Sequence, residues 1–397
     1  MIEACARHGY GSTTARELVA LAGVSKKALY QRFAGKEDCF LATYDLVVRQ
    51  AMDRISSAYR SAPDRESDWA SGLCSAFDAF AAELVERPGP SKLALVEIFA
   101  AGPEAVERIE RAETGFVAMV RQSLDQAPDG LAIPPALIRP LIGGVWFVAR
   151  SRLLEGRAEE FARCGAELGE WLLTYRTSTS VPVVPTPMPR RPLDRADFYG
   201  DAADERTRIL RAAALSIARG GLEAVSEAQI VELAEVSPAT FSTHFEDTSQ
   251  CFVATLEILS AQALARALRE SDGASNWEAG VCRAVRALFL QVAEDPALAR
   301  VGFVEPFATG PAGAGRRAAV MRGFSAVLAG RAPRDLQPTP LVAEAIVGAV
   351  WSLAQRQIAK GRSRQLPLLS ARGAFLVLAP IVGADVAREA IKAELEV

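Results

Sequence analysis

The chain has 397 residues, half of them hydrophobic and 23% charged, a length that requires more than one core and a composition unlike disordered or fibrous proteins. Its net charge of -3 excludes a uniformly basic nucleic-acid coat, although a local basic patch remains open to it. The six cysteines form no Cys-x-x-Cys pair and the only histidines are His8 and His244, so no metal, disulfide framework or cofactor is expected and the thiols read as buried structural residues.

No N-terminal stretch combines a basic flank, an apolar core and a small-residue cleavage site. The most apolar C-terminal run, 373–384, is short and carries Pro380. A soluble, cytoplasmic protein without a membrane partner is the expectation. Ala, Leu, Glu and Arg dominate, with apolar residues three and four apart, so the fold class is all-α.

The first readable element is a capping box, Thr14-Ala15-Arg16-Glu17, with Thr14 as N-cap and Glu17 reaching back; it opens a helix that Gly23 ends. Ser25 caps the next helix, whose inward face holds Ala28, Leu29 and Phe33. Lys26, Lys27, Tyr30 and Gln31 share its outward face. Two short helices across a Gly-containing turn make a helix-turn-helix. The lysines suit guanine edges or phosphates, Gln31 offers adenine a donor and an acceptor, and Tyr30 can bond a phosphate. Lys36, at the next helix start, is placed to hold a phosphate beside exposed amides.

The run from Gly23 to Glu37, with Tyr30 three before Phe33 and then Gly35-Lys36-Glu37, closely resembles the helix-turn-helix signature of the tetracycline-repressor (TetR) family. The signature spans about 45 residues per copy. The resemblance implies a three-helix head on double-stranded operator DNA, with contacts at Arg16, Lys26, Lys27, Tyr30, Gln31 and Lys36, and Thr14 is grouped with these. It also implies a larger helical domain that binds a small-molecule effector and dimerises through its last two helices, about 135–176 and 340–380 here. The effector's identity does not carry over. Within the larger domain Trp69, Phe77, Phe80, Phe99, Met119 and Trp146 could line a pocket, with Glu97 or Arg150 as polar anchors, although aromatic residues at helical spacing are more often plain core.

A segment of about 177–203, with prolines at 182, 185, 187, 189 and 192, reads as an extended linker. Beyond it the sequence repeats. A shift of 212 pairs Arg7 with Arg219, Gly9 with Gly221, Ser25 with Ser237, Phe33 with Phe245 and Cys39 with Cys251. A shift of 208 pairs Trp69 with Trp277, Pro88 with Pro296, Glu97 with Glu305 and Phe99 with Phe307; a shift of 205 pairs Gly143 with Gly348 and Trp146 with Trp351. The expected architecture is two tandem TetR-like units of about nine helices each. The boundaries are 1–47 (head, first helix truncated), 48–176 (ligand-binding and dimerisation domain), 177–203 (linker), 204–258 (degenerate head) and 259–397 (second larger domain).

The second head keeps Ser237 as cap and Pro238 at a tolerated first position. Pro238, Ala239 and Ser242 replace both recognition lysines and the tyrosine, and Thr248 stands for Lys36. From Arg7 to Lys36 six cations face one anion, a balance of +5; from Arg219 to Thr248 one cation faces six anions, a balance of -5. One reading head is therefore expected, on an intrachain pseudo-dimer, one chain per functional unit. At the start of the chain the partners of Ile209 and Leu210 would precede Met1, so translation beginning upstream is a further expectation.

The function read here is transcriptional regulation, with repression as the family's commoner outcome. The alternative is a ligand-sensing or partner-binding protein that has lost DNA binding. Catalysis is not expected: Gly310-Pro311-Ala312-Gly313-Ala314-Gly315 is superficially like a phosphate loop but lacks the Lys-Ser/Thr ending, and its counterpart Gly102 to Glu107 lacks the later glycines.

Overall fold

The structure is a computed structural model that describes residues 1–63, 69–101, 104–125, 131–178, 180–182, 204–221, 225–303 and 310–395; at 69–70, 296 and 310–314 only the backbone is described. Most of the expected linker, the Gly102-Pro103 pair, Glu305, Phe307 and the side chain of Trp69 lie outside the described residues. The described chain is all-α. A lone antiparallel bridge between Ala132 and Thr177 is the one β pairing there.

The first unit comprises residues 1–180 together with 339–349. Its head is α1 (Ile2–Ser12), α2 (Ala15–Ala22) and α3 (Lys26–Arg32). The larger part follows as α4 (Lys36–Arg60), α5 (Trp69–Glu86), α6 (Pro88–Leu95), a 3-10 turn at Glu97–Ala100, α7 (Glu104–Leu124), α8 (Pro135–Leu154), α9 (Ala158–Arg163) and α10 (Gly165–Leu173). The break between α9 and α10, at Cys164, gives ten α-helices among the described residues of this copy rather than nine.

The second unit comprises residues 181–338 and 350–397. Its head is α11 (Glu205–Gly220), α12 (Glu227–Ala234) and α13 (Pro238–His244). After it come α14 (Thr248–Asp272), α15 (Trp277–Glu294), α16 (Pro296–Phe303), α17 (Gly310–Arg331), α18 (Pro340–Ala359), α19 (Ser370–Val382) and α20 (Ala384–Leu395). The glycine-rich run 310–315 is thus the opening of α17.

In both copies the expected border between head and larger domain, after residue 47 and after residue 258, falls inside one continuous helix, α4 or α14. A rigid rod therefore joins the two parts. The first ten residues of α18 belong to the first unit, where they close the core on α8. A Cβ on Gly144 would stand 2.6 Å from Ala345 O and 3.2 Å from Ala349 Cβ, so only glycine permits this backbone approach. Arg152 clasps Glu344 with both arms, at 2.8 and 3.2 Å.

Two stretches, Thr248–Asp272 and Ser363–Val382, are long and apolar enough to cross a membrane by composition. Both have packed faces: Cys251, Phe252, Leu256 and Leu259 are buried on the first, and Phe375 to Ala379 on the second. The expectation of buried thiols holds for Cys5, Cys251 and Cys282, whose burial pushes them up to about 11, 12 and 12. Cys39 and Cys164 are half-buried and Cys74 is exposed.

Candidate DNA-reading heads and effector cavity

In the first head Thr14 caps α2, its hydroxyl accepting the Glu17 N–H at 3.2 Å. Glu17 does not complete the capping box; its carboxylate lies 3.5 Å from His8 Nε2 instead. Gly23 then ends α2 in the left-handed region (φ 64°), with the Val24 N–H returning to Val19 O at 3.1 Å, and Ser25 caps α3 by accepting the Ala28 N–H at 3.1 Å. Leu29 is buried, while Ala28 and Phe33 are half-buried. On the other side Lys26, Lys27, Tyr30 and Gln31 all stand exposed, Tyr30 to 49%, and Arg16 and Thr14 are exposed beside them. The structure thus brings six of the seven expected DNA-contact residues to solvent.

Lys36 is the seventh, and it differs. Its ammonium donates to the carbonyls of Tyr10 at 3.1 Å and Gly11 at 3.2 Å and lies 4.4 Å from the Tyr10 ring centre. It ties the start of α4 to the end of α1, which leaves one of its three N–H donors for a phosphate.

The second head repeats this backbone with different chemistry. Ser226 makes a complete capping box with Gln229, and Ser237 caps α13 by accepting the Thr240 N–H at 3.0 Å. Where Gly23 turned, Glu235 turns instead, at φ 53°, the one non-glycine residue with positive φ among the described residues. Its core is tighter: Ile209, Leu210, Ala212 and Ala213 of α11 pack with Ile230, Ala234, Phe241 and Phe245. Ala234 and Phe245 are buried, whereas their counterparts Ala22 and Phe33 are exposed and half-buried. At the N-terminus of α14 the Asp247 carboxylate accepts the Gln250 N–H at 2.7 Å. The equivalent of Asp247 is Gly35, which has no side chain to offer α4. The second head thus caps this helix with an anion where the first has Gly35; α4 carries its acids just inside the helix, at Glu37 and Asp38, with Asp38 accepting the Ala34 N–H at 2.9 Å.

Behind the first head lies a cavity of about 60 Å3, walled chiefly by apolar groups of α4 to α8. Phe80, Phe99, Trp146 and Arg150, four of the residues named above as candidates, line it, joined by Tyr44, Phe116 and Glu83, which the sequence did not single out. Phe116 meets Phe80 and Trp146 edge-on, at 6.3 and 5.3 Å between ring centres. Arg150 is buried; its Nε donates to Leu95 O at 2.6 Å and its guanidinium lies 4.3 Å from the Phe99 ring centre. Desolvation lowers this guanidinium to about 9, partly offset by Glu113. Glu83 is bound by Arg54 through both carboxylate oxygens, with Arg87 at 3.5 Å.

Residues 2–43 and 209–255 match the description "Bacterial regulatory proteins, tetR family", one match on each head. Each head is therefore similar to the helix-turn-helix segment of that family. Two solved structures align with a little under half of it. The fatty acid degradation regulator FadR from Bacillus halodurans shows 19% identity over 44% of this chain and 95% of its own, with a TM-score of 0.39. A TetR family transcription regulator from Marinobacter aquaeolei VT8 shows 23% identity over 47% and 94%, with a TM-score of 0.29. No curated protein sequence matches.

Three of the residues expected around a pocket sit elsewhere. Phe77 stacks on Phe161, ring centres 5.3 Å apart, on the α9 side of α5. Met119 packs on the cluster of Ile55, Tyr59 and Ala76. Glu97 turns away from the cavity, and its carboxylate accepts the Tyr10 N–H at 2.8 Å. Helical spacing places a residue on an apolar face but does not say which neighbour that face meets.

Proposed function

We propose that this chain is a soluble, cytoplasmic DNA-binding transcription regulator of the repressor type. In this reading the first head alone grips operator DNA, the second head serves as its structural partner, and an effector enters the first larger domain. The proposed division into two heads, two larger domains and a linker follows the boundaries given above. The contrast between the heads carries the reading. One exposes Lys26, Lys27, Tyr30 and Gln31 with a balance of +5 around them; the other exposes Pro238, Ala239 and Ser242 with -5 and caps its α14 terminus with Asp247. Since phosphate neutralisation drives affinity for the duplex, a head of the second kind is repelled by it. Thr14, Arg16 and Lys36 complete the proposed contact set of the first head.

Pairing of the two larger domains within one chain is the second part of the reading. It is supported by residues 339–349 belonging to the first unit, with Glu344 held by Arg152. A covalent linker also keeps one copy at an effective concentration of about millimolar near the other.

The test is selection of genomic DNA fragments by the purified full chain and by a Lys27→Ala, Tyr30→Ala double variant, with light scattering on the same samples. Specific fragments retained by the natural chain and lost by the variant, from a species with the mass of one chain, are the expected result. No specific fragment from the natural chain would favour a sensor without DNA binding; a stable two-chain species would overturn the intrachain pairing.

A further inference from the structure

A second head that had merely stopped binding DNA would need only to lose its cations, and the duplication shows more than that. At the shift of 212, Arg16, Lys26 and Lys27 of the first head align with Ala228, Pro238 and Ala239. The reverse exchange also occurs. Ala15, Ala20, Gly23, Ala34 and Gly35, all small and neutral, align with Glu227, Glu232, Glu235, Glu246 and Asp247. All five acids are exposed, as are the three cations. On one repeated backbone, the second head has negative charge where the first has none, and none where the first is positive.

Neither set is neutralised from within its own head. The ion contacts described there, Arg7 with Glu3, His8 with Glu17 and His244 with Glu205, involve none of these residues. Each face also presents apolar surface, Val24 to 46% and Tyr30 to 49% on the first and Leu233 to 38% on the second. An apolar strip among charges of one sign fits a strip of like construction and opposite charge.

We infer that the reading face of the first head is also a protein-docking face, and that its occupant is the second head of another copy of this chain. The carboxylates of Glu227, Glu232 and Glu235 there take the place of DNA phosphates on Arg16, Lys26 and Lys27. The docking rests on the two faces alone; its consequence for DNA rests on the regulator reading above. Exposed ion pairs are individually weak, so the contact belongs to the small, salt-sensitive class that forms as the protein accumulates. Duplex and carboxylates need the same lysines. A chain on its operator therefore stands alone, and an excess of copies draws chains off the DNA.

Two variants of the full chain test this: Lys26→Glu, Lys27→Glu reverses the first face, and Glu232→Lys, Glu235→Lys the second. Sedimentation velocity follows the natural chain, each variant and their equal mixture over rising concentration. The salt is about 0.1 M and then about 1 M, where the screening length falls from about 10 Å to about 3 Å. The natural chain is expected to associate at the lower salt and to run as a single chain at the higher. Each variant alone should lose association by about tenfold or more. The mixture should regain it, since one variant keeps the natural basic face and the other the natural acidic one. At the lower salt, the Lys26→Glu, Lys27→Glu chain should also release the natural chain from operator DNA; the same chain carrying Glu232→Lys and Glu235→Lys as well should not.

A natural chain that stays single up to about millimolar concentration at the lower salt would overturn the inference. So would association that persists at the higher salt or in either variant, or folded variants that stay apart when mixed. Should a variant not fold, the salt dependence of the natural chain decides. Rescue in the mixture without operator binding defeats only the regulator reading; operator binding without association or release defeats only this inference.

Discussion

The carboxylate of Glu97 accepts the main-chain N–H of Tyr10 at 2.8 Å, joining two buried groups 87 residues apart in sequence. Tyr10 lies at the end of the first head helix, just past Gly9, whose positive φ (76°) turns the chain there; a Cβ on Gly9 would stand 3.3 Å from Glu97 Oε2. Glu97 sits between Leu95, whose carbonyl Arg150 holds, and Phe99, whose ring Arg150 covers. One short stretch, 95–99, thus touches both the cavity's arginine and the head.

Glu97→Ala is expected to lower stability by about 1–3 kcal/mol, the cost of leaving a buried N–H without its acceptor. It is also expected to uncouple the parts: an effector still binds in the first larger domain, but no longer changes operator affinity. Chemical denaturation and mobility-shift titrations with and without ligand check both. Operator affinity that still responds to ligand would show that the signal passes elsewhere.

The two heads should answer salt differently. Lys27→Ala is expected to weaken operator binding and to flatten the dependence of log affinity on log salt by about 0.9, one released counterion; Thr243→Ala should change neither. Fluorescence anisotropy across a salt series measures this. Equal losses from the two variants would mean that both heads engage the duplex.

Glu235 holds the left-handed turn that Gly23 holds in the first copy. A side chain there costs roughly 1–2 kcal/mol, so Glu235→Gly should stabilise the chain by about 1 kcal/mol and Gly23→Ala should destabilise it by a similar amount. Melting midpoints of the two variants, moving in opposite directions, are the readout.

Arg152 and Glu344 form a two-armed ion pair whose side chains are 14% and 10% exposed. Removing either partner alone is expected to cost about 3 kcal/mol, because the remaining charge stays in a poorly hydrated place, whereas the double variant Arg152→Leu, Glu344→Leu should recover most of that. A double-mutant cycle in denaturant tests it, and additive losses would show that the two charges act independently.

Much of the fold was legible because its signals are local. Ser25 and Ser237 cap the helices they were expected to cap, and the outward faces of α3 and α13 follow from a 3.6-residue period. Local pattern could not foresee contacts made by distant parts of the chain. Lys36 reads as a phosphate ligand only, whereas the fold also brings Tyr10 O and Gly11 O against its ammonium. Glu97 and Arg150 read alike as pocket anchors, yet one faces the head and the other the cavity. Glu83 had Arg87 four residues on as a visible partner, but its two-oxygen clasp by Arg54 comes from another helix. Asp247 was visible as an acidic residue, but its role as a cap needed the start of α14 to be known.

The membership of residues 339–349 in the first unit also governs how the protein is made. A ribosome that has finished residue 180 has not finished the first unit, because the strip that meets Gly144 and Arg152 is still unsynthesised. At about 5–20 residues per second the wait until residue 349 is roughly 10–30 s. Throughout that interval the face of α8 around Gly144 lacks its cover, which makes the nascent chain, rather than the finished one, the form most in need of a chaperone.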